Sequence, residues 1–199
     1  MLDTATQTAG KIDPRVKRTR KLIVDAFVSL QAEKSFDDIT VQDITARATV
    51  NRATFYAHFP DKYALLDSLI RDGFGHTLHA RLGSRTDTTP EHLRQLFLAV
   101  TDYLNSIETR CRRSYQMFES LVEAQIKRQL CEQVRAWLEA QPRARAQPSR
   151  RLEIAATLMG WALYGAALEW RKQGGGQSAE WFADEVLPLI APTVTALGA

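Results

Sequence analysis

Residues 40–62 read TVQDITARATVNRATFYAHFPDK, and the fold turns on how they are parsed. Thr40 offers a hydroxyl to the free N–H groups of a helix start, and Asp43 brings the carboxylate that suits its positive end. The spacing of Val41, Ile44 and Ala48 predicts a short helix over 41–48 with one buried stripe, leaving Gln42, Asp43 and Arg47 elsewhere. Such a helix is too short to stand alone. Asn51 is a second N-cap candidate just after it, so the link is tight, and the next helix runs from about Arg52 to His58. Phe55 and Phe59 face inward, Pro60 ends the helix and Asp61 caps another. Two short capped helices across a tight turn form a helix-turn-helix, whose second helix is suited to a DNA major groove.

The side chains on that second helix fit base edges. Arg52, Ala53 and Thr54 supply a long cation, a methyl and a hydroxyl, the groups that read guanine, the thymine methyl and mixed edges. Tyr56 is left outward to reach a phosphate, and Thr40, His58 and Lys62 extend the same rim. Upstream, Lys11 to Lys21 holds six basic residues against Asp13, a net +5 within a chain whose formal total is +3. Arg15, Lys17, Arg18 and Arg20 therefore read as a DNA arm that favours a polyanion through counterion release. The plainer reading of this run, a solvated helix start, is weakened by the motif beside it.

Outward from the motif, 199 residues with 45% hydrophobic content suffice for a packed core in one or two domains. Residues 1–10, MLDTATQTAG, lack a basic start and an apolar run, and read as a disordered tail and not as a signal peptide. No run approaches the roughly 20 apolar residues of a membrane span. The expectation is a cytoplasmic protein with no membrane partner.

The pattern is helical throughout, with neither alternating strands nor repeats, so the fold is expected to be all-α with about nine helices. The domains are a tail at 1–10, a three-helix helix-turn-helix head at 11–62 and a helical body at 63–199. A first helix near Arg15 to Lys34 turns Val16, Ile23, Phe27 and Leu30 to one face. A long fourth helix from Lys62 to about Arg81 joins head to body, and Thr89-Pro90-Glu91 starts a fifth. Tyr115 to Ala140 is either one long helix or a short one followed by a longer one. QPRARAQPS at 141–149 is a basic, proline-broken loop whose Ser149 caps the next helix. Beyond it, Leu152 to Gln173 mixes aromatic and small residues, and a last helix with Trp181, Phe182, Val186, Leu187, Ile190 and Val194 is capped by Ser178 and loosened by Pro188.

Phe97, Tyr103, Tyr115, Phe118, Trp137, Trp161 and Tyr164 concentrate in the body and could wall an apolar or aromatic ligand pocket, although each taken singly is as well explained by core packing. Asp72, His76 and His79 share a helical face, but no fourth ligand is evident and no metal or cofactor is expected. Cys111 and Cys131 lack metal-type spacing, and a structural disulfide would be unusual in a cytosolic chain.

The segment ITARATVNRATFYAHFPDKYALL closely resembles the recognition signature of TetR/AcrR-type transcriptional regulators. It joins the paired short helices, Phe55-Tyr56, His58-Phe59 and Lys62 in that family's spacing, over roughly residues 15–70. Thr49 stands where the family often carries glycine. A β-branched residue disfavours positive φ, so this turn is expected to end the first helix differently. The resemblance implies a body that binds an effector and pairs the last two helices with their copies in a homodimer, through Met159, Leu163, Ala166, Trp181, Val186, Leu187, Ile190 and Val194; a simple monomer core is the alternative. It further implies a ligand-responsive repressor on a palindromic double-stranded operator. The competing reading is a coregulator of the same fold that acts through a protein partner. No phosphate loop, nucleophile–base set or metal signature suggests an enzyme.

Overall fold

The computed structural model describes residues 13–83, 89–111, 115–141, 148–174 and 176–190. The tail at 1–10, Lys11, the linker arginines Arg143 and Arg145, and Val194 lie outside the described residues, as do the side chains of Cys111 and Tyr115. Among the described residues there are eight helices and no strand: α1 (Pro14–Glu33), α2 (Val41–Ala48), α3 (Arg52–His58), α4 (Lys62–Leu82), α5 (Pro90–Cys111), α6 (Tyr115–Glu139), α7 (Ser149–Lys172) and α8 (Ala179–Ile190). The all-α fold is the one the sequence predicts. The segment from Tyr115 to Glu139 is one helix, not a short one followed by a longer one.

The chain divides after Leu65 into two compact units, a head and a body, and α4 runs from the first into the second. In the head, Asp13 accepts from the Arg15 N–H at 2.8 Å and Pro14 opens α1, a start that costs no hydrogen bond because the first N–H groups have no helical partner. Ile23, Phe27 and Leu30 of α1 are buried together with Phe36, Ile39, Ile44, Phe55 and Phe59. Val16 does not join them: at 45% exposure it lies on the outer side of α1. In α2 Thr45, not Val41, completes the buried stripe with Ile44 and Ala48, since its hydroxyl turns back to the Gln42 carbonyl at 3.1 Å and leaves the methyl to pack.

The body is a helical core built on α5, α6, α7 and α8. Leu96, Phe97, Val100 and Leu104 of α5, Val122, Ile126, Leu130 and Val134 of α6, and Met159, Leu163 and Ala167 of α7 are all buried. Where α6 and α7 cross, a Cβ added to Gly160 would lie 2.9 Å from the Cys131 Sγ and 3.2 Å from its backbone nitrogen, so any larger residue here would force a neighbour to shift. Ser178 caps α8, accepting from the Trp181 N–H at 3.2 Å, and Pro188 sits inside that helix. Ser149 is not a cap: α7 begins with it, and Pro148 in the cap position offers no side-chain acceptor. No described helix is long and apolar enough to cross a membrane.

Candidate nucleic-acid interface

The geometry of the site begins with how α2 is fixed. Thr40 Oγ1 accepts from the Asp43 N–H at 3.1 Å, while the Asp43 carboxylate accepts from the Thr40 N–H at 2.8 Å and the Thr40 hydroxyl at 2.6 Å. Lys34 adds its ammonium 2.8 Å away, and Lys34 first, then Thr40, hold the Asp43 carboxyl well below the usual carboxylate range. At the other end, Arg47 grips Glu33 of α1 through two parallel N–H···O bonds of 2.8 Å and Ser29 at 2.7 Å. That fork lowers the Glu33 pKa and raises that of Arg47.

The turn to α3 departs from the sequence expectation. Thr49 has φ 55° and ψ 44°, the left-handed conformation that glycine adopts freely. The Val50 N–H reaches back to the Thr45 carbonyl at 3.0 Å, closing the helix end as a glycine would. The geometry of the bend is thus kept and the cost is carried as backbone strain, roughly 1–2 kcal/mol for a non-glycine residue.

Asn51 then caps α3, its Oδ1 accepting from the Thr54 N–H at 2.7 Å. With Phe55 and Phe59 buried, the outward row of α3 is Arg52, Ala53, Tyr56 and Ala57, with Thr54 and His58 half-buried at its edges. The structure therefore brings the three expected base readers together on one short helix. Tyr56 is 48% exposed and braced edge-on by Phe55 at 5.5 Å, while the His58 ring lies against Phe59 at 6.4 Å. From α1, the Arg20 guanidinium sits over the Phe59 ring at 4.7 Å, which sets the basic side of α1 beside the end of α3. Arg15, Lys17 and Arg18 are exposed on the first turns of the same helix. Ala57 was not singled out by sequence; its place four residues after Ala53 was the available signal.

Two residues expected at phosphates have their donors spent inside the head. The Thr40 hydroxyl and N–H both go to Asp43. The Lys62 ammonium donates to the carbonyls of Phe36, Asp37 and Ile39 at 3.0, 3.1 and 2.9 Å, leaving no N–H for a phosphate in this conformation.

In the body, three of the aromatic pocket candidates each lie against another ring. Phe97 stacks on Phe182 at 6.1 Å, Trp137 on His92 at 6.3 Å, and Tyr103 lies beside Phe74 with its hydroxyl on the Ile70 carbonyl at 2.9 Å. Phe118 and Tyr164 are buried. Trp161 is 54% exposed and belongs to a surface row on α7 with Ile154 and Leu158; the Lys127 ammonium stands 5.0 Å over its ring. Met159 and Leu163, expected between copies, are buried in the chain's own core, whereas Trp181 is exposed and Ala166, Val186 and Leu187 are half-buried. Ile190 is buried. Sequence reasoning missed Gln125, fully buried on α6, whose amide N–H donates to the Asp67 carboxylate while its Oε1 has no hydrogen-bond partner among the described residues. A polar residue in the apolar register between Val122 and Ile126 was the signal. Burial raises the Cys131 thiol pKa, and Asp72, His76 and His79 are exposed on α4.

Residues 23–69 match the family described as bacterial regulatory proteins, tetR family. The chain is 44% identical over 62 residues to the uncharacterized HTH-type transcriptional regulator YxbF of Bacillus subtilis (strain 168), covering 31% of this chain and 16% of that protein. It spans 16%, 24% and 56% of the lengths of the curated relatives it matches. In fold it is similar to a TetR transcriptional regulator from Streptococcus agalactiae 2603V, with TM-score 0.55 and 23% identity over 89% of this chain and 96% of that one. It is also similar to the regulator FadR from Bacillus subtilis, solved in complex with stearoyl-CoA, with TM-score 0.50 and 18% identity over 85% and 96%.

Proposed function

We propose, from the match of residues 23–69 to the tetR family of bacterial regulatory proteins and the likeness of the head to HTH-type regulators, that this chain is a sequence-specific, ligand-responsive transcriptional repressor of that family that binds a palindromic operator as a homodimer in the cytoplasm. The outward row of α3, with Thr54 and His58 at its edges, carries this reading: Arg52, Ala53 and Thr54 read bases, and Tyr56 and His58 contact phosphates beside Arg15, Lys17, Arg18 and Arg20 of α1. Two such heads need half-sites about one helical turn apart.

Pairing is supported by the apolar surface of the last two helices. Ile154, Leu158 and Trp161 of α7 and Trp181 and Leu189 of α8 leave their side chains in water, a cost that a second copy of the same surface removes. The effector we infer is a small, largely apolar or aromatic molecule held in the body, with Gln125 Oε1 as an acceptor for one N–H or O–H group on it. FadR, similar in fold, was solved with stearoyl-CoA, a ligand with a long apolar chain. Effector and operator affinities are then coupled reciprocally, with α4 as the covalent element common to both units.

Selection of binding sites from random duplex DNA, with the purified full chain at one stated salt concentration, tests the reading. An enriched palindrome supports it and supplies the half-site spacing. Folded protein that enriches no sequence, with and without candidate acyl or aromatic compounds, defeats it in favour of a coregulator that works through a protein partner.

A further inference from the structure

We propose that Lys62 is a positioning residue: its ammonium clamps the loop leading into α2 against the first turn of α4, and so sets the pose from which α3 reads DNA. This rests on the reading of the head as a DNA binder. Three donors on one cation meet three converging carbonyl oxygens, those of Phe36, Asp37 and Ile39, at 2.9 to 3.1 Å. The same ammonium lies 4.6 Å from the centre of the Phe36 ring and 5.8 Å from that of Tyr63. Phe36 is in turn buried, edge-on to Phe27 at 6.0 Å and to Tyr63 at 5.1 Å. The cation thus closes a unit made of α1, the loop and the start of α4.

The position of the loop in the chain gives the clamp its effect. Ile39, whose carbonyl Lys62 holds, directly precedes Thr40, the N-cap of α2. Loop carbonyls deprived of their donor would seek other partners, and the start of α2 would move with them. Because only Thr49, Val50 and Asn51 separate α2 from α3, a shift of α2 is carried to the base-reading row. Hydrogen bonds to base edges tolerate errors of only a few tenths of an ångström. An ammonium projects its three donors as a tripod, whereas a guanidinium is a planar fork. Arginine at this position keeps the charge and loses the geometry.

The test uses the full chain, the duplex enriched by selection and a scrambled duplex of equal length, each titrated over a salt series. Lys62→Met and Lys62→Arg are both expected to bind the selected duplex roughly tenfold more weakly, with a much smaller loss on the scrambled one, so that the specificity ratio falls. Their salt slopes stay at the wild-type value. Arg18→Ala, a phosphate-type control, should weaken both duplexes alike and reduce the slope by about 0.9. The clamp is overturned if Lys62→Met behaves like Arg18→Ala and Lys62→Arg restores binding, which is the pattern of a phosphate contact. It is equally overturned if stoichiometric titration gives the folded fraction of each variant a wild-type Kd, since the lysine would then serve stability alone. For variants too unstable to titrate, the side-chain ammonium resonance of Lys62 in the wild type decides: it should be visible without DNA and unmoved by the selected duplex, and a shift on binding refutes the clamp. Wild type that cannot tell the two duplexes apart defeats the DNA reading and the clamp with it; wild type that discriminates, with both variants unchanged, defeats the clamp alone.

Discussion

Thr49 concentrates the conflict between sequence and structure at the residue scale. Its side chain disfavours the left-handed backbone it adopts, yet the carbonyl of Thr45 and the cap at Asn51 on either side fix the turn. Thr49→Gly should therefore raise stability by about 1 kcal/mol and the thermal midpoint by a few degrees, less than the full strain because glycine is freer in the unfolded chain. An unchanged or lower midpoint in a thermal melt would refute the strain. At the recognition row, Arg52→Ala should relax preference at one position of the half-site, while Arg18→Ala weakens all sequences; a uniform loss for both, read by competition with single-base operator variants, defeats the base assignment. Asp43 sets a pH dependence. Its folded pKa lies below the ordinary aspartate range because of Lys34 and Thr40, so the stability it contributes is present above about pH 4 and drains away as pH falls further. Asp43→Asn should lower the midpoint at pH 7 and flatten its decline on the acid side, as a series of melts from pH 7 downward would reveal. Caps at Thr40, Asn51, Asp61 and Ser178 were legible because a cap is a contact over three residues, decided before the chain folds back. The employment of Lys62 was not legible, because its partners lie more than twenty residues away.

Elements were read well where one face alone was apolar, as in α2, where Ile44 and Ala48 are buried, whereas α1 also exposes Val16, Leu22 and Val28. α7 is apolar toward the core at Met159 and Leu163 and apolar toward water at Ile154, Leu158 and Trp161, so periodicity finds the helix but cannot say which side is inner. Small residues were a better guide than large ones: Gly160, not the aromatics, marks the crossing with α6. Gly160→Ala should cost about 1–3 kcal/mol, since Cys131 Sγ can rotate away but the backbone nitrogen at 3.2 Å cannot. Adding Cys131→Ala should recover part of that loss, measured by denaturant unfolding; full additivity of the two changes would refute contact at this point.

For the whole molecule, the deciding question is what covers the outer face of α7 and α8. Leu158→Glu with Trp161→Glu should leave a folded monomer in sedimentation and weaken operator binding by about tenfold or more, because each head then binds its half-site without help from the other. A double variant that still sediments as a dimer moves the interface elsewhere. The two compact units meet after Leu65, inside α4, so the helix itself is continuous across the division. The water-facing row of Ile154, Leu158 and Trp161 carries one more consequence. In a chain that pairs through it, operator occupancy at concentrations below the dimer dissociation constant rises with the square of copy number, so such a regulator responds to its own expression level more steeply than a monomer of equal affinity could.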